Sequence, residues 1–212
     1  MITKLYIAKD KFEELPVYNR VEYDERLDQT LDSGSVQTIT DSAEPFPDYM
    51  LFKLSTYDNY GAMIENNFFG FDTVEKRGNG YYIHPLELVE PTRIVMGIPI
   101  DGCKITQPVE GKKKTLYDAV FGKSGLLAKA KLKSVSSPTW TFMEWGSEAI
   151  SKMEDVISPE FHWESGTILW ECLCDVGNVI NCIPRIRVQG VNINRLYIDF
   201  VPVNDITDVL EM

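Results

Sequence analysis

Histidine is nearly missing from this chain: 212 residues hold only two, His84 and His162. That scarcity removes most routes to a Ser–His–Asp triad or a histidine-rich metal cage. His84 precedes Pro85 inside strand-like text, and neither histidine marks a triad. Cysteine is also sparse, and none of the four has a partner at the two-residue gap of a zinc knuckle. Cys172 and Cys174 sit two apart in helical text, which turns them to nearly opposite faces, while Cys103 and Cys182 are isolated in apolar, strand-like text. Buried free thiols are the expectation. No uninterrupted apolar run approaches the ~20 residues of a membrane span. The first ten residues meet charge too soon for the apolar core of a signal peptide, so the reading is synthesis in the cytosol with no membrane span. Positive charge is short as well: 21 Lys/Arg against 32 Asp/Glu give a net charge of −11. A chain this acidic grips nucleic acid poorly, because phosphate affinity comes mainly from Lys and Arg.

What remains is an ordinary globular composition, 44% apolar and 25% charged, enough for one large domain or two small ones. The charge is unevenly placed. Residues 10–48 carry eleven Asp/Glu against three Lys/Arg, whereas residues 112–133 carry seven Lys against one Asp.

The first 108 residues read as all-β. Val17, Asn19, Val21 and Tyr23 alternate with Tyr18, Arg20 and Glu22, the period of a half-buried strand. Tyr49 to Tyr57 and Met63 to Lys76 are rich in aromatic and β-branched residues. Arg77-Gly78-Asn79-Gly80 signals a tight hairpin returning through Tyr81 to Val89. Arg93 to Ile105 completes the set, with Asp101-Gly102 as a turn. Short strands at this spacing predict a barrel or sandwich.

Pro108 to Lys114 marks a boundary, after which the apolar period becomes helical. Thr115 with Asp118 predicts a capping box, with Leu116, Ala119 and Val120 as the apolar stripe and Gly122 and Gly125 as the stop. Ser147 caps a second helix carrying Ile150, Met153, Glu154 and Ile157 on one side, before Pro159. Leu169, Cys172, Leu173 and Val176 make the third, ended by Gly177. Ile183 to Val188 and Leu196 to Phe200 alternate as a closing hairpin. The fold expected is therefore α+β, with an antiparallel β-barrel domain over residues 1–108 and a smaller α+β domain over 113–212. No internal repeat or low-complexity segment occurs.

Several residue groups carry candidate chemistry. Gly122-Lys123-Ser124 ends like a phosphate loop, but the motif's first glycine position holds Tyr117, so a helix terminus is the reading. Glu160, His162 and Glu164 would share one face of a strand, opposite Phe161 and Trp163. They could hold a divalent ion or act as acid and base; the plainer alternative is an edge strand with its polar face in water. Trp140, Trp145, Trp163 and Trp170 fall in one window, which suits core packing first, then an interface, then sugar stacking. The lysines of 112–133 are ordinarily just solvated; if they work, an acidic second copy suits them better than DNA. Asp24, Glu25, Asp28 and Asp32 lack the glycine and terminal glutamate of a calcium loop.

The block Tyr81-Tyr82-x-His84-x-Leu86-x-Leu88-x-Glu90-Pro91-Thr92 resembles a strand region in tail-hub (tail-tip, baseplate-hub) proteins of phages and prophages of Gram-positive bacteria. The helix start Lys114-Thr115-Leu116-Tyr117-Asp118 is similar to the next segment of those proteins. So are Ile157-Ser158-Pro159-Glu160-Phe161, Leu169-Trp170-Glu171 and Ile183-Pro184-Arg185-Ile186. The likeness spans roughly residues 17–200 and departs at the glycine-interrupted stretch Phe121 to Leu127, where such proteins continue a leucine-rich helix. The resemblance implies a homotrimeric ring of β-barrel tube domains with inserted domains, continuing the tail tube and linking a distal tail ring to fibre or spike. It also implies a longer protein of which this is an N-terminal piece, any lytic module lying downstream.

The expectation is thus a non-enzymatic virion component, built in the bacterial cytoplasm and resident in the tail. Its partners are its own copies and neighbouring tail proteins. It needs no cofactor, metal or catalytic residue, and DNA passes without specific binding. An acidic face within residues 10–48 would repel DNA from a lumen wall over about 8 Å at physiological salt. Two rivals stand beside it: a glycoside or peptide hydrolase using Glu160, Glu164 and His162, and a carbohydrate-binding module exposing several tryptophans.

Overall fold

Alternation along the first ninety residues builds a sheet with one continuous apolar face. The computed structural model describes residues 2–18, 22–24, 33–48, 50–57, 63–72, 75–76, 80–130, 141–191 and 195–203. It divides into two units, Met1–Pro91 with Val188–Ile193, and Thr92–Arg187 with Asn194–Met212. The first unit holds β1 (Ile2–Ala8), β2 (Phe12–Leu15), β3 (Glu22–Asp24), β4 (Ser33–Thr40), β5 (Met50–Tyr57), β6 (Met63–Asp72), β7 (Glu75–Lys76) and β8 (Tyr82–Val89). Their order is β2-β1-β5-β6-β8-β4-β3, with β7 also on β8, and the ladders of this sheet are antiparallel. Register stacks like on like: Leu5 faces Leu54, Ile7 faces Phe52, Phe52 faces Phe68 and Val36 faces Leu86. These side chains, with Leu88, form one buried cluster. Each large one contributes about 1.5–3 kcal/mol by leaving water.

The barrel expected over residues 1–108 does not form. The sheet is an open path that starts at β2 and ends at β3, and among the described residues no ladder joins those two strands. Pro16 explains the break. It has no N–H to donate, so β2 stops at Leu15 on one edge, while β3 lies at the other end of the path. A single bridge, Val17 to Thr38, carries the chain past β4, held by Tyr18 N to Gln37 O (2.7 Å) and Thr38 Oγ1 to Pro16 O (2.8 Å). The fold is mixed α+β with several sheets, none of them closed among the described residues. Residues 19–21, the hairpin tip 77–79 and residues 25–32 of the acidic stretch lie outside the described residues.

The second unit holds α1 (Thr92–Val95), β9 (Pro99–Ile105), α2 (Leu116–Phe121), a 3-10 turn (Leu127–Lys129), β10 (Thr141–Glu144), α3 (Glu148–Met153), β11 (Phe161–Ile168), α4 (Leu169–Val179), β12 (Cys182–Val188) and β13 (Arg195–Pro202). The text from Arg93 to Ile105 therefore opens as helix rather than strand. Asp101-Gly102, expected as a turn, lies inside β9 opposite Ser165 where the β9–β11 ladder shifts register, and Gly102 has φ +79°. The strand text 99–105, grouped by sequence with the preceding strands, pairs with β11 in this unit. A separate three-stranded sheet runs β10-β13-β12.

Helix ends follow local chemistry. Thr115 Oγ1 accepts from Asp118 N and Asp118 Oδ2 accepts from Thr115 N, both at 3.2 Å, the reciprocal capping box. Ser147 Oγ accepts from Ile150 N at 3.4 Å to start α3. Ile157, expected on the apolar side of that helix, lies beyond its end and is largely exposed. Gly177 does not end α4, which runs on to Val179. A Cβ at position 177 would stand 2.4 Å from Cys182 O, so the glycine lets β12 pass against the helix. The turn after α4 falls to Asn181, at φ +52°, a conformation asparagine tolerates better than most residues.

Candidate functional site

The residues nominated for catalysis lie on an open strand face. Glu160, His162 and Glu164 are all exposed, and His162 pairs across the ladder with Lys104. Phe161 and Trp163 stack on the other side with ring centroids 4.5 Å apart, and Trp163 Nε1 donates to Asp175 Oδ2 at 2.8 Å. The polar side of β11 faces water and its aromatics face the core. Among the described residues no group of three or more His, Cys, Asp or Glu is placed to hold a metal ion. Gly122-Lys123-Ser124 is the end of α2. Trp163 and Trp170 are buried and Trp145 half-buried, so these three make no flat platform for a sugar; Trp140 lies outside the described residues. No described helix is long and apolar enough to cross a membrane.

All four cysteines are free thiols, and Cys103, Cys172 and Cys182 are buried. Burial pushes the Cys103 thiol up, Cys172 up to about 12 and Cys174 up to about 11, the last two with help from Asp175. These thiols stay protonated and unreactive at neutral pH.

The structure adds a buried polar network in the first unit. His84 on β8 is fully buried. Its Nδ1 lies 2.7 Å from Asp72 Oδ2 at the end of β6, and its Nε2 lies 2.8 Å from Thr40 Oγ1 and 3.1 Å from Ser42 O. Asp72 Oδ2 also accepts from Phe46 N at 2.9 Å, and the Phe46 ring sits 4.9 Å from the imidazole. Thr40, His84 and Asp72 line up as a triad would, but a fully buried imidazole whose Nε2 already serves Ser42 O has no substrate to reach. The network instead fastens the loop 41–48 to the sheet. Sequence alone shows His84 only as a strand residue before a proline; its partners lie 12 and 44 positions away, beyond any local signal.

A second feature is the outer face of the sheet β10-β13-β12. Period-2 alternation buries Leu196, Ile198, Phe200 and Ile186 on one side. The other side carries Met143, Tyr197, Arg185, Arg187 and Arg195, with Met143 opposite Tyr197 in register. Trp145 packs edge-on against Tyr197 (5.6 Å, 82°), and the Arg187 guanidinium lies 5.5 Å from the Trp145 ring centroid. Arg187 Nε donates to the buried Asp199 Oδ2 at 2.6 Å, and Asp199 Oδ1 accepts from Phe200 N. Beside this pair opens a pocket of about 430 Å³ lined by Ser147, Lys152, Asn181 and Arg187 among others. Arginine, tryptophan and tyrosine together are the residues most enriched where proteins bind one another.

No protein-family model matches the chain, and no curated protein matches it. Among solved structures it is similar to the tail protein from Neisseria meningitidis MC58, at 12% identity and a TM-score of 0.47 over 93% of this chain and 50% of that one. It is similar to the 43 kDa tail protein of prophage MuSo2 from Shewanella oneidensis, at 10% identity and 0.43, over 92% of this chain and 52% of that one. It is also similar to a chain of the lidded Francisella PdpA–VgrG complex, at 8% identity and 0.49, over 94% of this chain and 28% of that one. The chain thus spans between about a quarter and a half of the length of these structures.

Proposed function

We propose that this chain is a structural component of a phage or prophage tail, placed at the tail-tip or baseplate hub between the tube and the fibre or spike. It associates there with its own copies and with neighbouring tail proteins. It assembles in the bacterial cytoplasm and ends in the virion tail, and it makes or breaks no covalent bond. The observation that carries this reading is what the resembling sequence blocks do in the fold. In the 81–92 block His84, Leu86, Leu88 and Thr92 are buried. In the later blocks Thr115 and Asp118 cap α2, and Leu116, Leu169, Trp170, Ile183 and Ile186 are core residues. The resembling text therefore specifies packing and caps, which is what an assembly part needs, and among its charged residues Glu87, Asp118, Glu160 and Glu171 are exposed.

Deleting the coding sequence from the prophage and imaging induced particles by electron microscopy tests the reading. Tails that stop short of a complete tip, restored by supplying the chain in trans, are expected. Normal particles with undiminished infectivity would overturn it.

A further inference from the structure

Two surfaces of opposite charge stand out once the core and the caps are accounted for. The first is the outer face of β10-β13-β12, which carries Arg185, Arg187 and Arg195 together with Tyr197 and Met143, Arg187 lying against Trp145. Arg195 and Met143 are exposed, Tyr197 and Trp145 half-buried. Among the described residues β10 is also an edge of its sheet, and an edge strand offers backbone groups for pairing. In a chain of net charge −11, this face carries three arginines against one carboxylate, Asp199, which Arg187 already pairs, so a local excess of positive charge remains.

The second is the loop 41–48 between β4 and β5. Asp41, Glu44 and Asp48 are all exposed on it. The loop is rigid for identifiable reasons. Pro45 and Pro47 restrict its backbone. Thr40 Oγ1 bonds both Ser42 N (3.1 Å) and Ser42 O (3.0 Å), and Ser42 Oγ accepts from Glu44 N (3.1 Å). Phe46 N reaches the buried Asp72 carboxylate, and the Phe46 ring packs edge-on to Phe52 at 5.6 Å. The carboxylates are thus presented on a scaffold that loses little freedom on docking.

We infer that the acidic loop 41–48 of one copy docks on the arginine–aromatic face of β10-β13-β12 of a second copy. This rests on the self-association proposed above and names the surfaces that make it. The contact joins two different patches, the first unit of one chain and the second unit of another; repeated head-to-tail it closes a ring when the rotation per step divides a full turn. The arginine face suits this better than the lysines of 112–133. Guanidinium groups bind carboxylates in a planar fork and stack on aromatic rings, whereas lysine ammonium groups are strongly hydrated point charges.

Sedimentation equilibrium of the whole chain in 50–500 mM salt, with single charge reversals, tests the docking. Arg195 and Glu44 are both exposed, so the Arg195→Glu and Glu44→Lys chains should each fold with an unchanged far-ultraviolet circular dichroism spectrum. Each variant alone should weaken self-association about tenfold or more, and wild-type association should weaken as salt rises. An equimolar mixture of the two variants should recover part of the lost association. At one of its two mixed contacts, the lysine introduced in the loop meets the glutamate introduced on the arginine face. Arg195→Glu associating as the wild type does would overturn the inference and leave the tail role standing. So would a mixture no tighter than its components, or a wild type that stays monomeric up to about 100 μM, well above the micromolar affinities that interfaces of standard size reach. Particle imaging reads the tail role separately, so the two failures are distinguishable.

Discussion

Replacing His84 by leucine is the sharpest probe of the first unit, because it removes one member of a network with no solvent to compensate. The imidazole and the Asp72 side chain are 1% and 0% exposed. Asp72 Oδ1 already has no hydrogen-bond partner among the described residues. Without His84, Oδ2 keeps only Phe46 N among the described residues, and Thr40 Oγ1 and Ser42 O lose their contacts with Nε2. Breaking a buried pair by removing one partner costs about 3–5 kcal/mol, mostly as the penalty on the partner left behind. Removing both with Asp72→Leu/His84→Leu should cost less than the two single changes added together, by about 0.5–3 kcal/mol of coupling. Urea unfolding followed by far-ultraviolet circular dichroism gives the three differences. Tryptophan emission serves as an internal control, since the described tryptophans, Trp145, Trp163 and Trp170, belong to the second unit. A loss under about 1 kcal/mol for His84→Leu, or strict additivity in the double variant, would refute the reasoning from burial.

Other expectations are simpler to measure. Thr115→Ala removes the N-cap of α2 and should cost about 0.5–2 kcal/mol in urea unfolding, whereas Thr115→Ser should cost far less. Gly177→Ala drives a methyl into Cys182 O and should destabilise by about 1–3 kcal/mol, despite alanine's better helix propensity. The native thiols should resist a thiol-reactive dye at pH 8 and react fully in urea. Cys172 and Tyr117 are both raised to about 12, the first chiefly by burial and the second chiefly by its bond to Glu144. The folded chain therefore holds protons that the unfolded chain gives up above about pH 9. The contribution of these two groups should be level below that point and fall as pH rises from about 9 towards 12, which thermal melts from about pH 8 to 12 would show.

Local chemistry was legible in the sequence and distant pairing was not. Thr115 with Asp118, and Ser147 before α3, announce helix starts because each cap bonds within three residues. The alternation of β12 and β13 gave their faces correctly because period 2 belongs to one strand at a time. Closure of the first sheet depends on which strands meet at the two edges, and alternation carries no information on that; Pro16 was the available signal against a barrel. The same gap hides the partner of β9, whose pattern is equally compatible with either unit. Gly177 and Asn181 show a subtler limit. A glycine near a helix end looks like a stop, but here it makes room for a crossing strand, and the asparagine four residues on takes the left-handed turn. Neither the His84 network nor the arginine face was legible, since both arise only when residues far apart in sequence become neighbours.

Gln107 has a practical consequence. Its side-chain oxygen accepts from Lys114 N at 2.8 Å, and its amide donates to Lys114 O and to Ser158 O. One amide therefore cinches the two feet of the 108–113 excursion, at whose crest Val109 is 98% exposed. A peptide spliced in at Val109–Glu110 would extend the excursion without loosening its base, which makes this bend a ready place for a purification handle or a fluorescent label.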